Sequence, residues 1–266
     1  MKRVVLAALV ATVPIAVAPP DARADSPTPV GYSVTLEVDL PVYAVAGTIA
    51  AGWLLRHQLA PPACAPMCDR SSLIDLDRAA AGNWSPTWGT ISDVGIATVL
   101  AGTGATILGV EGFHDAWSDL VVVFESVLVA NAFAAVSDEA TRRPRPFEYG
   151  DSAPLSERTD GNASLSFFSG HSAAGFAATT ALASALHQRD PNGSAWWIAL
   201  GLGGLASATV ATARVLSGNH FPTDVIAGAV VGSSIGALVP ALHGRRMSIT
   251  PTVTTTGATL AVSMRW

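Results

Sequence analysis

Three short stretches of the chain combine residue types that bind anions and move protons. TRRPRPF at 141–147 places Arg142, Arg143 and Arg145 within four positions, and guanidinium groups present planar forks of donors that match phosphate oxygens. SLSFFSGHSAAGF at 164–176 sets Ser169, Gly170 and His171 where an apolar segment begins. Serine there caps a helix, glycine lets backbone N–H groups approach a ligand, and the helix start favours an anion. His171 would stand beside that anion as a general-acid candidate. RVLSGNHFPTD at 214–224 puts Arg214 six residues before His220 and Asp224 four after it. Pro222 suits a first helical turn, so Asp224 enters a helix one turn beyond His220. That is close enough for the carboxylate to hold one imidazole nitrogen and leave the other as a nucleophile. Any one of these residues fits a satisfied polar contact; three loops that each carry one make that account poor.

The loops punctuate an apolar chain. Of 266 residues, 50% are hydrophobic and 13% charged, about half the charge of an ordinary soluble domain. Apolar segments recur at about 40–55, 89–110, 119–137, 170–187, 195–213 and 224–242. Their lengths and their Ala, Gly and Leu content predict helices, and small residues such as those of GAVVGSSIGA at 228–237 permit close helix packing. The expectation is an all-α fold, a six-helix bundle. Toward the ends, Val30, Tyr32, Val34, Leu36 and Val38 alternate with polar or small residues. Ile249 and Val253 precede Gly257, and Leu260, Val262, Met264 and Trp266 alternate after it. Strand periodicity in both places predicts a small antiparallel β element joining the termini.

Lys2 and Arg3, an apolar run from Val4 to Ala18, and Ala22-Arg23-Ala24 read as a secretory signal over residues 1–24. Nothing divides 25–266, which is read as one domain. The net charge is −5, with no long basic run, so nucleic acid is not an expected partner. Lys2 is the one lysine of the chain. The two cysteines, Cys64 and Cys68, flank three residues that include Pro66, which favours a local disulfide over a thioredoxin-like redox pair. Glu125 interrupts VVVFESVLV and is a candidate for function or for pairing between helices. His57, His114, His187 and His243 lie near segment ends and read as surface residues, and Asp75 and Asp77 have no evident partner.

The blocks RPRP, SGH and R-x5-H-x3-D, in this order over roughly 90–242, resemble the signature motifs of the type 2 phosphatidic acid phosphatase and vanadium haloperoxidase superfamily. The resemblance implies that His220 takes the phosphoryl group and Asp224 orients it. It implies that His171 protonates the leaving oxygen and then activates water, while Arg145, Arg214, Ser169 and Gly170 hold the phosphate. No metal or other cofactor is implied for phosphatase work, and vanadate would enter as an inhibitor or in the haloperoxidase variant. The implied substrate is a phosphorylated lipid, of the phosphatidic acid or polyprenyl diphosphate class, or a small phosphomonoester.

Two positions depart from the pattern. Phe168 replaces the usual proline before Ser-Gly-His, and Asp138 stands where the first motif has a lysine. A carboxylate about 4 Å from a phosphate charge, at an effective dielectric of 20, costs about 4 kcal/mol. Arg142, three residues from Arg145, is expected to supply the missing cation from a shared helical face. The alternative is a catalytically impaired envelope protein that keeps the fold for lipid binding or structure. Localisation is expected in the cell envelope, embedded in or associated with the membrane, or else soluble in the periplasm.

Overall fold

The computed structural model describes residues 31–52, 58–244, 247–254 and 257–264; the signal sequence expected over 1–24 lies outside them. Eight α-helices are described: α1 (Leu36–Ala51), α2 (Asp75–Arg78), α3 (Pro86–Asp115), α4 (Trp117–Thr141), α5 (Leu155–Arg158), α6 (Gly170–Arg189), α7 (Ala195–Leu216) and α8 (Pro222–Gly244). Two of these, α2 and α5, are four-residue turns. Each of the six long helices overlaps one apolar segment of the sequence. Local chemistry sets their starts: the Ser85 hydroxyl accepts from Trp88 N–H ahead of Pro86, and the Ser169 hydroxyl accepts from Ser172 N–H.

At the centre lies α6, packed against α3, α4, α7 and α8. Ala173, Ala174, Ala177, Ala178 and Ala181 are all buried on it. Side chains this small let α8 approach backbone to backbone. A Cβ at Gly228, Gly232 or Gly236 would stand 2.6, 2.2 or 2.5 Å from the carbonyl oxygens of Ser169, Ala173 and Ala177 respectively. On the other side α1 packs on α4. Among the described residues, four helical segments are long and apolar enough to cross a membrane: Pro86–Phe113, Trp117–Tyr149, Ala195–Leu216 and Pro222–Gly244. At 16 residues α1 falls short of them, since a span needs about 20.

The terminal β element differs from the sequence expectation. Met247–Thr254 (β1) and Gly257–Met264 (β2) pair antiparallel, Met247 opposite Met264, in a two-stranded sheet. The N-terminal segment does not join it. Leu36 and Val38 open α1 instead, because the Asp39 carboxylate reaches back to the Thr35 N–H at 2.5 Å. This capping contact and the acidic first turn outweigh a short alternation of side chains. Ser33 N–H donates to the His243 carbonyl, fastening the segment to the end of α8. Cys64 and Cys68 are joined as a local disulfide.

Candidate active site

The alternating directions of the long helices bring one set of ends together. The C-terminal ends of α1, α4 and α7, the N-terminal ends of α3 and α6, and the loop that leads into α8 border a cavity of about 910 Å³. Its polar wall holds Asp93, Asn131, Asp138, Arg145, Gly170, His171, Arg214 and His220. From there the wall continues along α1 and α4 through Tyr43, Ala50, Phe124, Val127 and Leu128, so a polar end opens into an apolar groove.

His220 is buried, and its Nδ1 lies 2.7 Å from the Ser166 carbonyl oxygen. A carbonyl only accepts, so Nδ1 carries the proton, and Nε2 is left with its lone pair. Burial first, then the positive charges of Arg214 and Arg145, push the His220 pKa well below the ordinary histidine value. Its imidazole is therefore neutral at pH 7.

Asp224 does not hold this ring directly. Its Oδ2 is 4.0 Å from His220 Nδ1, and that oxygen instead accepts from the Ser166 hydroxyl at 2.6 Å and the Phe221 N–H at 2.8 Å. The carboxylate thus positions the two chain segments that pin the ring. Its other oxygen pairs with Arg143, which also donates to Asp77 at 2.7 Å and stacks on the Phe221 ring at 4.3 Å. Asp77, without an evident partner in the sequence, closes the network by accepting from the Thr223 N–H and hydroxyl.

Arg145 and Arg214 are 4% and 7% exposed, so their orientation is fixed by neighbours rather than by solvent. Asn219 and Asn162 accept from the two Arg145 Nη atoms at 2.5 and 3.0 Å. Arg214 donates to Ser92 at 3.2 Å and lies 3.5 Å from Asp93. His171 Nε2 lies 2.8 Å from the same Asp93 carboxylate. Its pKa is lowered by burial, raised by the bond to Asp93, and lowered again by Arg214.

Ser169 is fully buried and spends its hydroxyl on the α6 cap, while Gly170 lines the cavity beneath Asn131. Arg142 does not substitute for the missing lysine. It ends α4 in the left-handed conformation, φ 46°, so the helical face expected to align it with Arg145 ends there. Its guanidinium donates to the Ala60 carbonyl at 2.7 Å instead. Asp138 does line the cavity, buried to 3% exposure. Asp93, Asn131, Asn162, Ser166 and Asn219 were not anticipated. Ser166 and Asn219 lie inside motif loops, whereas Asp93 and Asn162 come from segments without any motif.

The chain is 31% identical over 126 residues to proteins named decaprenylphosphoryl-5-phosphoribose phosphatase from two strains of Mycobacterium tuberculosis. The match covers 47% of this chain and 62% of theirs, so the chain spans less than two thirds of the length of these relatives. A solved Bacillus subtilis structure, described as a transmembrane PAP2 type phosphatidylglycerolphosphate phosphatase, aligns over 77% of this chain and 94% of its own at 22% identity and a TM-score of 0.45. The PAP2 superfamily model matches residues 119–248, a stretch that takes in nearly all of α4, both cavity histidines and Asp224, and it is the PAP2 superfamily that this part of the chain resembles.

Proposed function

We propose that this protein is a phosphatase acting on a lipid phosphate through a phosphohistidine at His220. One observation carries the reading: Nδ1 of His220 is committed to the Ser166 carbonyl, and the neutral ring borders a cavity flanked by two buried arginines. The Nε2 lone pair attacks phosphorus, and the bond from phosphorus to the leaving oxygen breaks. That oxygen takes a proton from His171 Nε2, for which Asp93 is the acceptor in the resting arrangement. His171 then accepts a proton from water as the water oxygen attacks phosphorus; the bond from phosphorus to His220 Nε2 breaks, its electron pair returns to the imidazole, and inorganic phosphate is released. Arg145, Arg214 and the backbone N–H groups at the start of α6 hold the equatorial oxygens, supplying charge where it develops. No step calls for a metal ion, and vanadate in the same cavity would act as a competitive inhibitor.

The apolar groove between α1 and α4 supports a lipid over a small soluble ester, because a long hydrocarbon tail would otherwise stay in water. The decaprenylphosphoryl-5-phosphoribose in the relatives' names, a sugar phosphate carried on a lipid, supports the same class. Four apolar helical segments support embedding in a membrane of the cell envelope, with the signal of residues 1–24 directing export of a single domain over 25–266 and the Cys64–Cys68 pair formed outside the cytosol.

Asp138 favours a second reading, a protein that binds phosphate without turnover. The test uses the full chain in detergent with phosphatidic acid, a polyprenyl phosphate and a chromogenic phosphomonoester. Release of phosphate, lost in His220→Ala, together with an acid-labile phosphoryl group on the wild-type chain, is the expected result. A folded wild-type chain that binds vanadate and releases no phosphate from any of the three overturns it.

A further inference from the structure

A second group of ionisable side chains meets at the opposite end of the bundle. Asp39 lies in the first turn of α1, His243 in the last turn of α8, and Glu125 in the first half of α4. One ligating atom from each falls within 4.8 Å of the other two. His243 Nε2 is 2.7 Å from Asp39 Oδ1 and 3.6 Å from Glu125 Oε2. Asp39 and Glu125 are 3% and 4% exposed, and the His243 side chain is 13% exposed, so this histidine is not the surface residue its place near a segment end suggests.

Hydrogen bonding fixes how these groups face one another. His243 Nδ1 lies 2.8 Å from the Val239 carbonyl, which accepts a hydrogen bond from Nδ1–H and so turns Nε2 toward two carboxylates. The Thr35 N–H donates to the second Asp39 oxygen. Glu125 Oε2 has no hydrogen-bond partner among the described residues, although it is buried and turned toward the imidazole. With Nδ1–H committed to Val239, Nε2 meets the two carboxylates through a cation between them: a proton suffices for the 2.7 Å contact with Asp39, whereas a metal ion would also engage the Glu125 oxygen 3.6 Å away. An imidazole whose other nitrogen donates to a backbone carbonyl is the usual arrangement of a metal-bound histidine.

We propose that Asp39, Glu125 and His243 form a binding site for one divalent transition metal ion of the zinc type. One imidazole and two carboxylates suit such an ion better than magnesium or calcium, which take oxygen ligands. Tetrahedral ligands at about 2.0–2.1 Å from zinc stand about 3.3 Å apart, a spacing that the 2.7 and 3.6 Å separations bracket. Water would complete the coordination. Such an ion ties α1 to α4 and α8. Because α1 supplies Tyr43, Ala50 and Ala51 to the cavity wall, the ion holds one side of the groove in place without touching the reacting groups.

The experiment takes the full chain in detergent, strips it with a chelator, and adds back zinc or cobalt. The expected results are about one zinc per chain by elemental analysis, visible absorption bands of bound cobalt, and a rise in Tm of several degrees. His243→Gln and Glu125→Gln should each lower metal affinity at least ten-fold. His220→Ala should bind metal like the wild type, so this outcome is separate from that of the phosphatase assay. A folded wild-type chain that takes up neither ion, or variants that bind zinc as the wild type does, overturns the proposal and leaves a proton on Nε2 as the bridging cation.

Discussion

The Ser166 residue stands between His220 and Asp224: its carbonyl accepts from the imidazole at 2.7 Å, and its hydroxyl donates to the carboxylate at 2.6 Å. The two roles separate under mutation. Ser166→Ala keeps the carbonyl and removes the hydroxyl alone, so kcat should fall about ten-fold with little loss of stability, about 1 kcal/mol. Asp224→Ala also strands Arg143 and the Phe221 N–H, and breaking a buried pair costs about 3–5 kcal/mol. It should lower Tm markedly and abolish turnover. Thermal melts and steady-state kinetics on both variants check the order; equal losses of kcat and Tm in the two would show that Asp224 acts only through the Ser166 hydroxyl.

The pH profile should favour acid. His220 is held well below the ordinary histidine pKa by burial and by Arg214 and Arg145, so its nucleophilic form persists into acidic solution. His171 is also lowered, mainly by burial, so its proton is lost as pH rises toward neutrality. The kcat/KM should therefore peak below about pH 6.5 and decline above it. Asp93→Asn removes the interaction that raises the His171 pKa and should move the alkaline limb to lower pH. Stability follows the sign of the same shift: below about pH 6.5 the unfolded chain takes up a proton that native His220 refuses, so stability is lost as the pH is lowered. In His220→Gln that dependence should flatten in a pH series of melts.

Asp138 should weaken the hold of the cavity on anions. Its buried carboxylate lines the cavity that Arg145 and Arg214 border, so it opposes the phosphate they attract. Asp138→Asn keeps the shape and removes the charge. The KM for a phosphomonoester and the inhibition constant for vanadate should both drop about ten-fold, a change of about 1.4 kcal/mol. Unchanged vanadate inhibition would place the carboxylate's charge away from the bound anion.

The cavity histidines and arginines were legible in the sequence because each sits at a helix end, where a short motif fixes the local backbone. Arg142 was misplaced for a related reason: helical spacing was carried through a residue that leaves the helix at φ 46°. Asp93 had no local signal, since no motif surrounds it and its partner His171 comes from α6, which packs on α3 only in the fold. The strand read at 30–38 failed because alternation over nine residues carries less free energy than a capped first turn docked on α4 and α8. Glu125 was visible as an anomaly, but its partners come from both ends of the chain.

Gly232 is where packing and catalysis meet. A Cβ there would stand 2.2 Å from the Ala173 carbonyl oxygen, and a backbone atom of the central helix has nowhere to yield. Gly232→Val must push α8 away from α6, and overpacking of this kind typically costs about 1–3 kcal/mol. The displaced elements carry His171 at the start of one helix and Asp224 at the start of the other, so kcat should fall along with Tm although residue 232 lies outside the cavity wall. Gly201 on α7 is exposed, with nothing within 4 Å of its Cβ position. Gly201→Ala should leave activity unchanged and hold or raise Tm, by about 0.5–1 kcal/mol of helix propensity. Melting curves and phosphate release on the pair check the comparison; a Gly232→Val chain as stable and active as Gly201→Ala would mean that α6 and α8 do not pack this closely.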